Sequence, residues 1–373
     1  MTTLIRFFSF EAIENCVTCL NYKIDRVWFF GYQEHIDQKR KGVEEFLKKS
    51  CHTDSCFVAI DGESLSDIQS RAEEIVKEGN CYIDITGCTG TCLVAFVNIA
   101  YEKNVPMHIY DVYKRKTYYI DSGIKGSISD VEERKVDIRI NDYIKLNGGS
   151  IRFEKNKRHK FYISEKKNRD LNAIIRSYGN EWNYYVLLLQ RMNYDKDSLD
   201  AACDDVNALI EKDGLPINSE RFLTFLKQLE EASLIRELNT DGRQVRFSYF
   251  GYNVRYYLND AGAILEDIVY RKEKNTADDC MISVNLDWDG IVESQSDKDV
   301  LNEVDVMTLN GYLLTFISCK NTMKVRKEDL YELKTIAIRF GGRYARMKLA
   351  TTAEVSNIEK ERARSMGVLI EQY

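Results

Sequence analysis

Along residues 1–110, short and almost wholly apolar runs recur between longer stretches whose apolar positions return every three or four residues. The runs are LIRFF (4–8), RVWFFGY (26–32), CFVAI (56–60), YIDIT (82–86) and MHIYD (107–111). SLSDIQSRAEEIVKEG (64–79) and TCLVAFVNIAYEK (91–103) between them have helical spacing. Apolar strands alternating with amphipathic helices predict a parallel sheet covered on both faces, a Rossmann-like α/β arrangement. A β-rich continuation from KTYYIDSG (116–123) to VDIRI (136–140) is expected to complete it.

The pattern then changes. From about 165 to 258, helical spacing at 181–193, 199–212 and 219–233 precedes LIRELNTDGRQVRFSYF (234–250), two strands about an Asp241-Gly242 turn. Three helices and a hairpin predict a winged-helix-like unit, a module that reads DNA or serves as a dimerisation spacer. From 259 the order becomes helix (260–274), three mostly antiparallel strands (280–290, 303–309, 312–320), helix (326–341) and strand (346–352). With only Pro106 and Pro216 in the chain, boundaries come from these changes of pattern: 1–150, 151–258 and 259–373.

Composition narrows the class. The net charge of −6 gives no support to a strongly basic nucleic-acid binder, although RFEKNKRHKFYISEKKNR (152–169) is locally basic and interleaved with aromatics. That stretch is either a phosphate-tracking patch or a solvated linker face. No run reaches the roughly 18 apolar residues of a membrane span, and MTTLIRFFSF enters a strand pattern directly, so a cytoplasmic protein without membrane contact is expected. Cys16 and Cys19 have the spacing of a metal or redox pair but lack a second ligand pair, and helix packing is the expected role.

Candidate chemistry concentrates in NEVDVMTLNGYLLTFISCKN (302–321). Residues two apart on a strand share a face, so Glu303 lies with Asp305, and Ser318 with Lys320. Pairing through the TLNGY turn brings Asp305 near Ser318 and Lys320. Asp305 then suits a hard cation, Mg²⁺ or Mn²⁺, and Lys320 suits orienting a water and stabilising charge on a phosphate. Glu266, on the helix, can add a carboxylate. Spacing alone leaves a structural Asp305–Lys320 salt bridge as an equal reading.

Helix-Glu, strand NEVDV and strand FISCKN resemble the PD-(D/E)XK nucleases. The resemblance implies catalytic roles for Glu266, Asp305 and Lys320, and a metal held by Asp305, Glu266 and the Cys319 carbonyl. Where the family usually carries Glu two residues before the lysine, this chain has Ser318. Glu303 or Glu266 is expected to compensate. Without that compensation the domain would be weakly active or dead; an active domain is the expectation.

The N-terminal YIDITGCTGTCLVAF resembles the ligand loop of CARF domains, a strand, then T-G-G-T, then a helix. Thr86, Gly87, Cys88, Thr89 and Gly90 match it, with Cys88 at the usual second glycine; Ser9 and Phe10, after the first strand, would form the opposite wall. On residues alone the loop is a weak glycine-rich turn. The order of sensor, winged-helix-like segment and nuclease resembles the CARF nucleases of type III CRISPR systems. That resemblance implies a homodimer that binds cyclic tetra-adenylate across its two-fold axis. It also implies metal-dependent cleavage of single-stranded DNA or RNA, or nicking of supercoiled DNA. Two further readings stay open: a ring-sensing winged-helix regulator with an inactive nuclease domain, and a sensor that degrades its own ring through Ser9, Glu11 and Thr86.

Overall fold

A computed structural model of the chain describes residues 1–120, 126–153, 163–192, 198–291, 300–322 and 324–373. The N-terminal sheet comprises β1 (Thr3–Phe7), β2 (Arg26–Gly31), β3 (Asp54–Ala59), β4 (Cys81–Asp84), β5 (Met107–Asp111) and β6 (Lys116–Tyr119), in the order β3-β2-β1-β4-β5-β6. The first five strands run parallel and β6 is antiparallel to β5. Because β1 is fully buried, successive side chains supply both layers: Leu4 joins one core, with the helix Gln33–Ser50, and Ile5 and Phe7 join the other. The helices Leu65–Val76 and Gly90–Lys103 cover that second face.

One expected strand is absent among the described residues. VDIRI forms no ladder, because the Arg134 and Val136 amides bond to the carbonyls of Asn21 and Leu20 at the end of the helix Val17–Asn21. Its extended backbone is satisfied by a helix terminus rather than a sheet edge.

The central unit contains β8 (Asp200–Cys203), β9 (Ile235–Thr240) and β10 (Val245–Tyr249), in the order β8-β10-β9. The stretch 199–212, expected as one helix, divides. Residues 200–203 pair with β10, and the helix Val206–Lys212 begins only after Asp205, whose carboxylate caps the Ala208 amide at 3.1 Å. Helix (Trp182–Met192), strand, two helices and hairpin complete the winged-helix order, preceded by a helix, Glu165–Tyr178, that the spacing did not reveal. The outward residues of Ser219–Glu231 mix signs: Glu220, Arg221, Lys227, Glu230 and Glu231, with Arg221 paired to Glu181 at 3.0 Å. Most of the basic stretch, 154–162, lies outside the described residues.

The C-terminal sheet has the order β15-β14-β13-β12-β11-β7. Its strands are β7 (Ser150–Ile151), β11 (Asp279–Asp287), β12 (Leu301–Asn310), β13 (Leu313–Lys320), β14 (Arg346–Thr351) and β15 (Val368–Gln372). β11, β12 and β13 are antiparallel; β14 and β15 run parallel to β13. The helix Asn357–Met366 and β15 extend the expected order by one helix and one strand. Gly311, at φ +59°, makes the tight β12–β13 turn.

Alternation along β13 divides the helices between faces. Ile317 and Cys319 meet Leu265 and Val269 of the helix Ala263–Lys274, whereas Phe316 meets Leu333 and Phe340 of the helix Lys327–Gly341. That second layer is continuous with the N-terminal core, so Phe8, Leu20 and Val27 share one apolar cluster with Leu309, Phe316 and Phe340. No described helix is long and apolar enough to cross a membrane.

Candidate functional site

Two places gather the residues singled out in the sequence. The first lies at the end of the β12–β13 ladder, whose rungs run from Asn310↔Leu313 to Val306↔Ile317. Just beyond the last rung, Asp305 Oδ2 accepts the Cys319 amide at 2.6 Å and faces the Ser318 hydroxyl at 3.4 Å. A main-chain donor therefore fixes the carboxylate. By alternation Asp305, Ser318 and Lys320 project from the face opposite Ile317 and Cys319. They line a cleft of about 40 Å³ with Glu303, and the helix Lys327–Gly341 closes it with Asp329, Glu332, Leu333 and Ile336.

The structure thus brings Glu303, Asp305, Ser318 and Lys320 together. Cys319 reaches the site through its main chain, since its thiol side is buried on the other face. Glu266 is also buried, on the helix across the sheet, and does not line this cleft. Asp329 and Glu332 were missed by sequence reasoning. Asp329 belongs to the helix start, its carboxylate accepting the Arg326 amide at 2.9 Å. Glu332 lies one turn on, at the edge of the apolar stripe Leu330, Leu333, Ile336 and Ala337, and that phase was legible.

Beside the Lys320 ammonium the cleft's polar groups are oxygens: the carboxylates of Glu303, Asp305, Asp329 and Glu332 and the Ser318 hydroxyl. This is the chemistry of Mg²⁺ or Mn²⁺, which take one or two carboxylates and keep several waters. Among the described residues no three His, Cys, Asp or Glu side chains cluster closely enough to cage a metal. Cys16 and Cys19 are fully buried in the apolar core, where burial raises both thiols well above their ordinary value. They are packing residues.

The second place is the crevice where strand order reverses, between the C-terminal ends of β1 and β4, the topological switch point of such sheets. Its floor is a buried charge network. Arg6 pairs with Asp84 at 2.8 Å, both fully buried, and Asp84 also accepts from Thr18 Oγ1 at 2.7 Å and the Thr86 amide at 2.8 Å. Although burial opposes its charge, the Arg6 guanidinium and these donors hold the Asp84 carboxyl below the usual range. Arg6 also donates to the Thr86 carbonyl at 3.2 Å, and the Thr86 hydroxyl accepts the Tyr110 amide at 2.8 Å. Thr86 is thus the loop's anchor, turned into the sheet.

Gly87 follows at φ +69° and Gly90 opens its helix at φ +57°. Thr89, at the N-cap, makes no side-chain cap bond to the first amides of the 14-residue helix, and Cys88 before it is partly exposed. On the opposite wall Phe10 is exposed, with its ring 5.3 Å from His35. Tyr32 and His35, from the segment after β2, complete an aromatic rim that the sequence reading missed.

Ser9 points inward, its hydroxyl donating to Glu14 Oε2 at 2.5 Å. Glu14 is 1% exposed and its other oxygen accepts the Tyr344 hydroxyl at 2.6 Å and the Arg343 guanidinium. The Arg343 amide also reaches Glu11 at 3.2 Å, and Tyr113 donates to the Arg343 carbonyl at 3.1 Å. The first βα loop is therefore tied to the turn that follows the helix closing the other cleft.

Comparison with known proteins supports this architecture. Protein VC1899 from Vibrio cholerae has a similar structure, with a TM-score of 0.72 and 17% identity over 100% of this chain and 94% of that one. Can2 from Sulfobacillus thermosulfidooxidans, in complex with cyclic tetra-adenylate, gives a TM-score of 0.67 and 16% identity over 99% and 93%. No protein-family profile and no curated protein matches the sequence. Over almost its whole length the chain shares the α/β fold of these two proteins.

Proposed function

We propose that the chain is a metal-dependent endonuclease switched on by a cyclic oligoadenylate, most simply cyclic tetra-adenylate, in type III CRISPR defence. The observation that carries the reading is the Asp305–Ser318–Lys320 cleft at a strand end, in the same chain as a glycine loop and helix N-terminus at the β1/β4 switch point. The cyclic tetra-adenylate bound to Can2, a structure with the same fold, supports the ligand class. A two-fold homodimer would present two copies of the crevice to the two halves of a symmetric ring. Helix-terminal amides at Gly90 suit its phosphodiesters, and Phe10 and Tyr32 suit stacking on its bases.

In the cleft, Asp305 is held in one orientation by the Cys319 amide, and Lys320 supplies the cation that positions an attacking water and stabilises charge gathering on the phosphate oxygens. A bound Mn²⁺ or Mg²⁺, held by Asp305 with Glu303 or Glu332, would polarise the phosphate and lower the pKa of a bound water. Ser318 gives a hydroxyl where a third carboxylate would stand, so the helix carboxylate Glu332 takes that part rather than Glu266.

The test is cleavage of labelled single-stranded DNA, single-stranded RNA and supercoiled plasmid with Mn²⁺, with and without cyclic tetra-adenylate. Cutting that needs both metal and ring is the expected result and identifies the substrate. Ring binding without cutting of any substrate would refute the nuclease reading.

A further inference from the structure

Glu14 lines neither proposed site, yet it contacts the loop of the first and the turn that ends the helix closing the second. It follows the first βα loop and is buried to 1% exposure, a costly place for an ionised carboxylate unless every lone pair is used. Its oxygens divide the work. Oε2 takes the Ser9 hydroxyl and presses on Gly87, where a Cβ would overlap it and would also stand 3.2 Å from Ser9 Cβ. Oε1 takes Tyr344 and Arg343 from the C-terminal domain. A single planar group is thus wedged between the TGCTG loop and the turn Gly342–Tyr344.

That turn ends the 15-residue helix Lys327–Gly341, a rod of roughly 22 Å at 1.5 Å per residue. Near its other end it presents Asp329 and Glu332 to the Asp305–Lys320 cleft. The contact is close at its near end too: Gly341 allows Phe316 of β13 to within 3.0 Å of where a Cβ would lie. A shift of the helix therefore moves against the strand that carries Ser318 and Lys320.

We propose that Glu14 is the positioning residue that joins the ring-binding crevice to the nuclease cleft: displacement of Gly87 or Ser9 moves its carboxylate, and Arg343 and Tyr344 pass that movement to the helix Lys327–Gly341. The inference rests on the functional reading above for what the two ends do, and on the geometry alone for their being joined. Packed interiors repack between discrete arrangements rather than deform continuously, so a one-atom wedge is enough to bias the helix.

Glu14→Gln, Arg343→Ala and Arg343→Lys test it. In the ring-free protein, hydrogen exchange at the Ser9 and Cys88 amides is expected to speed up in Arg343→Ala, although the substitution lies in the other domain, and to recover in part in Arg343→Lys. With ring, affinity is expected to stay near the wild-type value while ring-stimulated cleavage falls by about tenfold, within the range coupling free energies span. Unchanged exchange at Ser9 and Cys88 overturns the proposal, and so does full ring stimulation in Arg343→Ala and Glu14→Gln alike. If the wild type neither binds ring nor cuts, the functional reading fails, and the exchange measurement still decides whether Glu14 joins the two regions.

Discussion

Gly87 and Gly90 offer a controlled comparison, because both hold a left-handed backbone in one loop, at φ +69° and +57°. Alanine at either position meets the same conformational penalty, about 1 kcal/mol. At Gly90 nothing more is lost, since the nearest atom to a built Cβ is the Tyr32 hydroxyl at 4.0 Å. At Gly87 the new methyl falls on Glu14 Oε2, and a carboxylate with 1% exposure has no open side to retreat to. It must give up Ser9 or its Tyr344 and Arg343 partners, and a hydrogen bond to a charged group is worth roughly 1.5–3 kcal/mol. Gly87→Ala is therefore expected to cost about 2.5–4 kcal/mol and Gly90→Ala about 1 kcal/mol, read from urea unfolding at equilibrium. In a Glu14→Ala background the clash with the carboxylate is gone and only the 3.2 Å approach to Ser9 Cβ stays, so Gly87→Ala should fall back toward about 1 kcal/mol, a coupling of roughly 2 kcal/mol. Equal losses for the two glycine variants, or no coupling with Glu14→Ala, would refute the reasoning.

Further outcomes are expected. Asp305→Asn and Lys320→Ala should each remove cleavage while leaving ring affinity unchanged, and Glu332→Gln should weaken Mn²⁺ binding measured by titration calorimetry where Glu266→Gln does not; the reverse order would return the missing carboxylate to Glu266. Thr86→Val should cost about 1–3 kcal/mol, because the Tyr110 amide loses the Thr86 hydroxyl as acceptor, yet leave ring affinity nearly intact; a large affinity loss without destabilisation would make Thr86 a ligand contact. Lys39 is 7% exposed, and burial, reinforced by the Arg339 charge, lowers its ammonium from 10.5 to about 8. With the folded value below the unfolded one, its contribution to stability is present above the unfolded value and lost as pH falls through the folded one. Wild type should accordingly gain roughly 2 kcal/mol on Lys39→Met between pH 7 and 10, at about 1.4 kcal/mol per pH unit. A difference that stays flat across that window would count against it.

The parallel N-terminal sheet was legible because buried strands are written as continuous apolar runs, and Ile5 or Phe29 need no partner to announce themselves. The C-terminal strands were legible for the same reason, and Asp305 and Lys320 stood out as charges inside them. β8 was not, because Asp200–Cys203 is two alanines between an acid and a cysteine, and only pairing with β10 makes it a strand. Glu14 read as an ordinary charge in FEAIENC, since its partners Arg343 and Tyr344 lie more than three hundred positions away. Glu266 and Glu332 illustrate the same limit. Both are helix carboxylates near the motif in order, and only the sheet's two faces tell them apart.

The strand Ser150–Ile151 reaches across to pair with Leu286 and Asp287, and this has a consequence for the chain's modular history. The C-terminal fold opens with its edge strand before the winged-helix unit begins and resumes only after that unit ends. In sequence the central unit is thus an insertion into the C-terminal domain rather than a bead threaded between two others. Inserted modules can be exchanged when their two ends lie close, because the host fold closes over the gap. Grafting a different small domain between β7 and the helix Ala263–Lys274 should leave the N- and C-terminal sheets folded, whereas a fragment cut at 259 would lose a strand of its own sheet.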